Sequence, residues 1–195
     1  KAFASADHCR ASAAPAPRVA ATIAAILLAV CLPAYLFYTL YFCQITMIHG
    51  DEGQYLRVTQ SLLHDGDMDL ANNLDAAQTN EFHVIGFAVH KAPASPEGKV
   101  HSVHPIGLSI ALLPAYAWGL EYWANPRLAS ALFMALLAAL CVPLTFVWLS
   151  RLGAKRWAAL LAVAIMASTG PFFYFTNQLF PEIPALLIGL IALVA

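Results

Sequence analysis

The sequence predicts an all-α, polytopic transmembrane helix bundle, and three observations predict it. The 195 residues are 61% hydrophobic and only 11% charged, with a mean hydropathy of +0.69. A soluble domain of this size has too little interior to hide that much apolar surface. Apolar residues also come in long runs, Val19 to Ile48, Leu128 to Leu149 and Trp157 to Phe175, near or above the ~20 residues that cross a bilayer. Finally, the polar residues are segregated. His49 to His104 holds eight of the eleven acidic residues and six of the seven histidines.

Residues 1–18 form an Ala/Pro/Ser tail with Arg10 and Arg18, predicted to be disordered and cytoplasmic. Residues 19–48 are the first span, with Pro33 as a kink and Tyr35, Phe37, Tyr38, Tyr41 and Phe42 toward its far half. Residues 49–104 form an extracytoplasmic loop. Within it, Glu52 to His64 predicts a short amphipathic helix, with Tyr55, Val58 or Thr59, and Leu62 on one face lying in lipid. Asp51 is its N-cap and Gly66 its stop. Asp65, Asp67 and Asp69 make an acidic turn, and Ala88 to His101, with Pro93, Pro96 and Gly98, reads as flexible loop.

Residues 105–195 return to the membrane. The segment 105–122 is short, carries Pro114, and is predicted to be re-entrant or interfacial. Spans at 128–149 and 157–175 follow, and another at 181–195 stops short of a crossing length. Arg151, Lys155 and Arg156 occupy a very short loop between two strong spans, which the positive-inside tendency places in the cytoplasm with the N-terminus. Both ends then lie inside only if 105–122 does not cross. If it does cross, the Arg151 loop becomes external. The start at Lys1 and the stop inside an apolar run lead us to expect the N-terminal part of a longer multi-span protein.

Net charge of −1 and the lack of a basic cluster give no sign of nucleic acid. The four cysteines, Cys9, Cys31, Cys43 and Cys141, have no metal-ligand spacing and read as small apolar fillers. His83, His90, His101 and His104 fit no zinc helix or knuckle, so they are expected to be solvated. Asp65, Asp67 and Asp69 offer hard oxygen ligands, which leaves a divalent cation open as an alternative. They lack the glycine and terminal Glu of an EF-hand, so a solvated turn is the expectation and no cofactor is assigned.

The main chemical candidate is Asp51-Glu52, an acidic pair set where the first apolar run ends. A carboxylate beside an apolar face has its pKa raised toward working pH and can serve as a general base. The plain alternative is a helix cap with a first-turn Glu favoured by the helix dipole. Glu182, between Pro181 and Pro184, joins Asn177 and Gln178 in a polar rim that is either interfacial or faces a cavity. Arg127 is a span-start anchor or a phosphate contact. The aromatic groups around Trp118 and Phe172 read as interface belts.

Gly50-Asp51-Glu52, with Tyr55 and the run Leu62-Leu63-His64-Asp65-Gly66-Asp67, resembles the first external loop of GT-C glycosyltransferases, among them protein O-mannosyltransferases and aminoarabinose transferases. Ser102-Val103-His104-Pro105 is similar to the family segment in which Lys or His precedes Pro-Pro, with Ile106 standing for the second Pro. Asn125-Pro126-Arg127 through Ser130-Ala131 is similar to an Arg-x-x-Ser-Ala span start, and Gln178 through Pro184 to a polar stretch atop a later span.

The resemblance implies a polyprenyl-phosphate sugar donor lying in membrane lipid and an extracytoplasmic acceptor. It implies Asp51 as catalytic base, Glu52 as its partner, and His104 on the lipid-linked phosphate, helped by His101 and Arg127. Tyr55, Gln178 and Glu182 would line the substrate site. A single displacement with inversion is expected, in a bacterial inner membrane. The other reading is a non-catalytic transporter or assembly subunit with an acidic external loop, or a relative that has lost activity.

Overall fold

The computed structural model describes residues 17–74, 81–82, 90–93 and 98–195. The N-terminal tail up to residue 16, Cys9, His83 and Pro96 lie outside the described residues. Among the described residues the secondary structure is helical, apart from one isolated antiparallel bridge between Lys91 and Ser102.

The long apolar runs become α1 (Pro17–Ile45), which continues through Pro33, and α4 (Pro126–Arg151). Both are long and apolar enough to cross a membrane. Their faces differ. On α1, Ile26, Val30, Phe37 and Ile45 are exposed, while Ala131, Met134, Ala135, Ala138 and Val142 of α4 are buried. Small residues on α4 let the neighbouring helices approach closely, as expected where lipid replaces water around the bundle. The exposed apolar face of α1 is then the face for lipid.

α2 (Glu52–His64) forms where the sequence predicts it. Gly66, at φ +73°, donates its N–H to the Ser61 carbonyl and ends the helix. One expectation fails. Residues 52–61 are all buried, so the apolar stripe packs against protein and not lipid. The partner is α3 (Ile106–Trp123). The Ser109 hydroxyl donates to the Tyr55 carbonyl at 3.0 Å and the Thr59 hydroxyl donates to the Ser109 carbonyl at 3.2 Å.

α3 is one unbroken helix through Pro114, not a chain reversal. Its 18 residues make it about 27 Å long at ~1.5 Å per residue. It turns into α4 through Ala124 in the left-handed conformation, with Asn125 capping α4 by accepting from the Leu128 N–H at 3.0 Å. Gly119 makes this tight turn possible. A Cβ there would meet the Ala129 side chain and stand 2.9 Å from the Asn125 carbonyl oxygen.

The expected span 157–175 is broken. α5 (Arg156–Ser168) stops at extended Thr169, and a short α6 (Gly170–Phe175) follows. The helices through Pro33 and Pro114 show that a lone proline does not suffice; here Gly170 adds its backbone freedom to the effect of Pro171. Pro171 has no N–H for the ladder, and its ring excludes the carbonyl four residues back. α5 still docks on α1, where the Tyr35 hydroxyl donates to the Ala167 carbonyl at 3.0 Å. α7 (Glu182–Val194) runs beside α4, and the Arg151 guanidinium reaches the Val194 carbonyl.

Candidate active site

The end of α1, the start of α2, the start of α4 and the α6–α7 loop meet at one place, and Glu52 sits at its centre. Its side chain is 1% exposed. Oε2 accepts the His49 N–H at 3.2 Å and lies 3.5 Å from Arg127 Nη2. Oε1 accepts the Leu179 N–H at 3.3 Å. Burial pushes the Glu52 carboxyl above the usual range, against the opposing pull of Arg127 and the two backbone donors. Arg127 is turned inward. Nη1 donates to the Thr46 carbonyl at 2.7 Å and Nη2 to the Met47 carbonyl at 2.9 Å. These are carbonyls just past the last turn of α1, where a cation complements the helix dipole. Glu52 and Arg127 therefore form a floor that fastens four chain segments together.

Asp51 stands on this floor. Gly50, at φ +51°, makes the turn that delivers it. Asp51 occupies the N-cap position of α2, yet its side chain makes no capping bond. Its carboxylate is left half-exposed and faces two imidazoles instead. Oδ1 lies 3.6 Å from His90 Nδ1 and 3.7 Å from His104 Nε2. The two ring nitrogens are 3.1 Å apart. The His104 ring packs edge-on against Tyr55, centroids 5.3 Å apart. The Tyr55 hydroxyl is pushed above its ordinary value by burial and by the negative charges of Asp51 and Glu182.

The two histidines are held by the loop. The Ala92 N–H bonds the His101 carbonyl at 2.8 Å and the Val103 N–H bonds the His90 carbonyl at 3.1 Å, which sets residues 90–92 against 101–103. Gln54 of α2 accepts the His90 N–H at 3.2 Å.

The remaining sequence candidates are placed as follows. His101 faces away, its Nδ1 at 3.0 Å from the Met68 carbonyl. Gln178 and Asn177 are buried in the α6–α7 loop next to Leu179, and Gln178 Oε1 and Asn177 Nδ2 have no hydrogen-bond partner among the described residues. Glu182 is exposed at the start of α7. The three loop aspartates organise the turn. Asp67 Oδ1 accepts from Ser61 and from the Asp69 N–H, Asp69 Oδ1 accepts from Ala71 and Val100, and Asp65 Oδ2 accepts from Asn73. Backbone donors from Val100 and Ala71 hold the Asp69 carboxyl below its ordinary range.

Sequence reasoning missed His90 as a site residue. It is 39 positions from Asp51, and no local pattern links the two. The signal available was the excess of histidine in an otherwise acidic loop.

Residues 117–195 match the family model described as dolichyl-phosphate-mannose-protein mannosyltransferase. No curated protein and no solved structure matches the chain. The family match spans the end of α3 through α7 and so includes Arg127, Gln178 and Glu182, while Asp51, Glu52 and His104 precede it. It fits the GT-C, O-mannosyltransferase-like resemblance of the sequence motifs, and with the two apolar helices it indicates an integral-membrane glycosyltransferase.

Proposed function

We propose that this protein transfers a sugar from a polyprenyl-phosphate-linked donor to an extracytoplasmic acceptor, with Asp51 as general base, in a bacterial plasma membrane. The observation that carries this reading is the Asp51 carboxylate itself. It is half-exposed, uncommitted to capping, flanked by two imidazoles and mounted on a buried ion pair. Asp51 takes the proton of the acceptor nucleophile as that atom bonds to the anomeric carbon. The bond from that carbon to the phosphate oxygen breaks, and the lipid phosphate departs with the electron pair. The His104 and His90 rings flank Asp51 and offer polar nitrogen atoms where the phosphate departs, contacts worth most where water is excluded. The configuration inverts, because one carboxylate acts as base and Glu52 beneath it is fully engaged.

The course of α3 supports the N-terminus-inside orientation. His104, two residues before α3, lies beside Asp51, and Arg127, four residues after Trp123, holds the carbonyls following α1. Both ends of this helix are thus tied to the same end of α1 and α4. It lies along the membrane surface, and α1 and α4, the two helices of crossing length among the described residues, traverse it. Arg151, Lys155 and Arg156 then fall at the opposite, cytoplasmic end.

A transporter gathers its polar groups mid-membrane at broken helices. Here they gather at one end of the bundle, which favours surface chemistry on a lipid-borne substrate. The test uses membranes containing the intact protein, supplied with either a labelled polyprenyl-phosphate sugar or the matching nucleotide sugar. Transfer from the lipid-linked donor alone is expected. Transfer from the nucleotide sugar in membranes stripped of lipid carrier would overturn the reading.

A further inference from the structure

Asp51, His90 and His104 gather three ligand atoms within 4.8 Å of one another. From this juxtaposition we propose that they form a binding site for one divalent transition-metal ion of the zinc class. The inference goes beyond the transfer reading and stands on donor geometry alone.

The distances decide it. Asp51 Oδ1 is 3.6 Å from His90 Nδ1 and 3.7 Å from His104 Nε2, and the nitrogens are 3.1 Å apart. The first two separations exceed a normal hydrogen bond. They match the edges of a tetrahedral coordination sphere, about 3.4 Å for bonds of ~2.0–2.1 Å. A triangle with the observed sides has a circumradius of about 2.0 Å, so a single atom at or just above its plane sits at zinc bonding distance from all three donors.

The donor chemistry agrees. Two imidazole nitrogens and one carboxylate oxygen suit zinc and its neighbours, whereas magnesium and calcium seek all-oxygen sets. The ligands are pre-positioned. The paired segments 90–92 and 101–103 hold the two histidines side by side with their rings tilted by 30°, Gln54 fixes the His90 backbone, and Tyr55 backs the His104 ring. The side chains of His90 and Asp51 are 52% and 37% exposed, that of His104 only 13%, so a fourth coordination position opens toward solvent. Three protein ligands with one open position is the arrangement of zinc sites that also bind water or a substrate oxygen.

The sequence concealed the site because its ligands lie at positions 51, 90 and 104 and follow no short spacing. Bringing them together requires the α2 start, the paired loop and the segment before α3 at once.

The test is zinc binding by the intact, tag-free protein purified in detergent, measured by competition with a chromophoric chelator, together with zinc K-edge absorption spectroscopy. One zinc per chain is expected, with light-atom ligands at ~2.0–2.1 Å and no displacement by millimolar magnesium. His90→Ala and His104→Ala should each weaken binding at least tenfold. His64→Ala should leave it unchanged, since His64 pairs with Glu81 at 2.9 Å elsewhere in the loop. His90 is the more exposed ligand, so its variant reports on the site even if His104→Ala impairs folding. Absence of stoichiometric zinc, or binding equally insensitive to His90→Ala and His104→Ala, overturns the proposal. So does loss in His64→Ala matching that in His90→Ala.

Discussion

Replacing Arg127 with Met should be among the most damaging single changes outside the apolar core. The guanidinium is 12% exposed and the carboxylate it faces is 1% exposed. Removing it leaves the Glu52 charge buried with only two backbone donors, and frees the Thr46 and Met47 carbonyls. Breaking a buried pair by deleting one partner costs about 3–5 kcal/mol.

Two further readouts follow. Glu52→Gln removes the charge that Arg127→Met strands, so the double variant should be less destabilised than the sum of the singles, with a coupling of about 1–3 kcal/mol. The pH dependence has a definite sign. Folded Glu52 holds its proton more tightly than the unfolded chain does, so the folded state is favoured below the ordinary glutamate range. That advantage is lost as pH rises through the raised value. Arg127 is the largest influence opposing that rise. Its loss should move the window upward and make Arg127→Met steeply less stable toward neutral pH, with recovery in acid. Reversible unfolding in detergent micelles, followed at several pH values, measures all three. A cost under about 1 kcal/mol, typical of a surface ion pair, or strict additivity with Glu52→Gln, would refute the buried-floor argument.

Other outcomes follow from the same physics. Gly119→Ala should destabilise the α3–α4 turn by about 1–3 kcal/mol, because the new methyl meets Ala129 and the Asn125 carbonyl; thermal melting checks it. Asp69 contributes in the opposite pH sense to Glu52. Its carboxyl is held low by the Val100 and Ala71 N–H groups, so its clasp on the loop is intact above the ordinary aspartate range and is lost as pH falls through the depressed value. Amide protection at Val100, measured against an unstructured amide at the same pH, should fall in acid in the wild type and be low at all pH values in Asp69→Ala.

Much of the fold is legible in the sequence because its signals are local. The apolar lengths of α1 and α4, Asp51 and Gly66 bracketing α2, and Asn125-Pro126 opening α4 all act within a few residues. The signal for the break at Thr169 was also local, since Gly170 next to Pro171 weakens a helix there more than a lone proline does, but the apolar composition of 157–175 masked it. The burial of α2 was not legible. A stripe of Tyr55, Val58 and Leu62 shows that something apolar covers it, not whether lipid or α3 does so. Asp51 was found because it ends an apolar run. Its relation to His90 and His104 depends on tertiary pairing of distant loop segments, as does the inward turn of Arg127 onto Glu52.

The most direct measurement is the rate of sugar transfer by Asp51→Asn in the intact protein, with a labelled polyprenyl-phosphate sugar as donor. The amide keeps the shape of the side chain at the half-exposed Asp51 position, and Glu52 and Arg127 beneath it are untouched, so the fold should survive, as melting can verify. Loss of a general base should lower the rate by ~10²–10⁴-fold. Transfer near the wild-type rate by a folded Asp51→Asn protein would contradict the account.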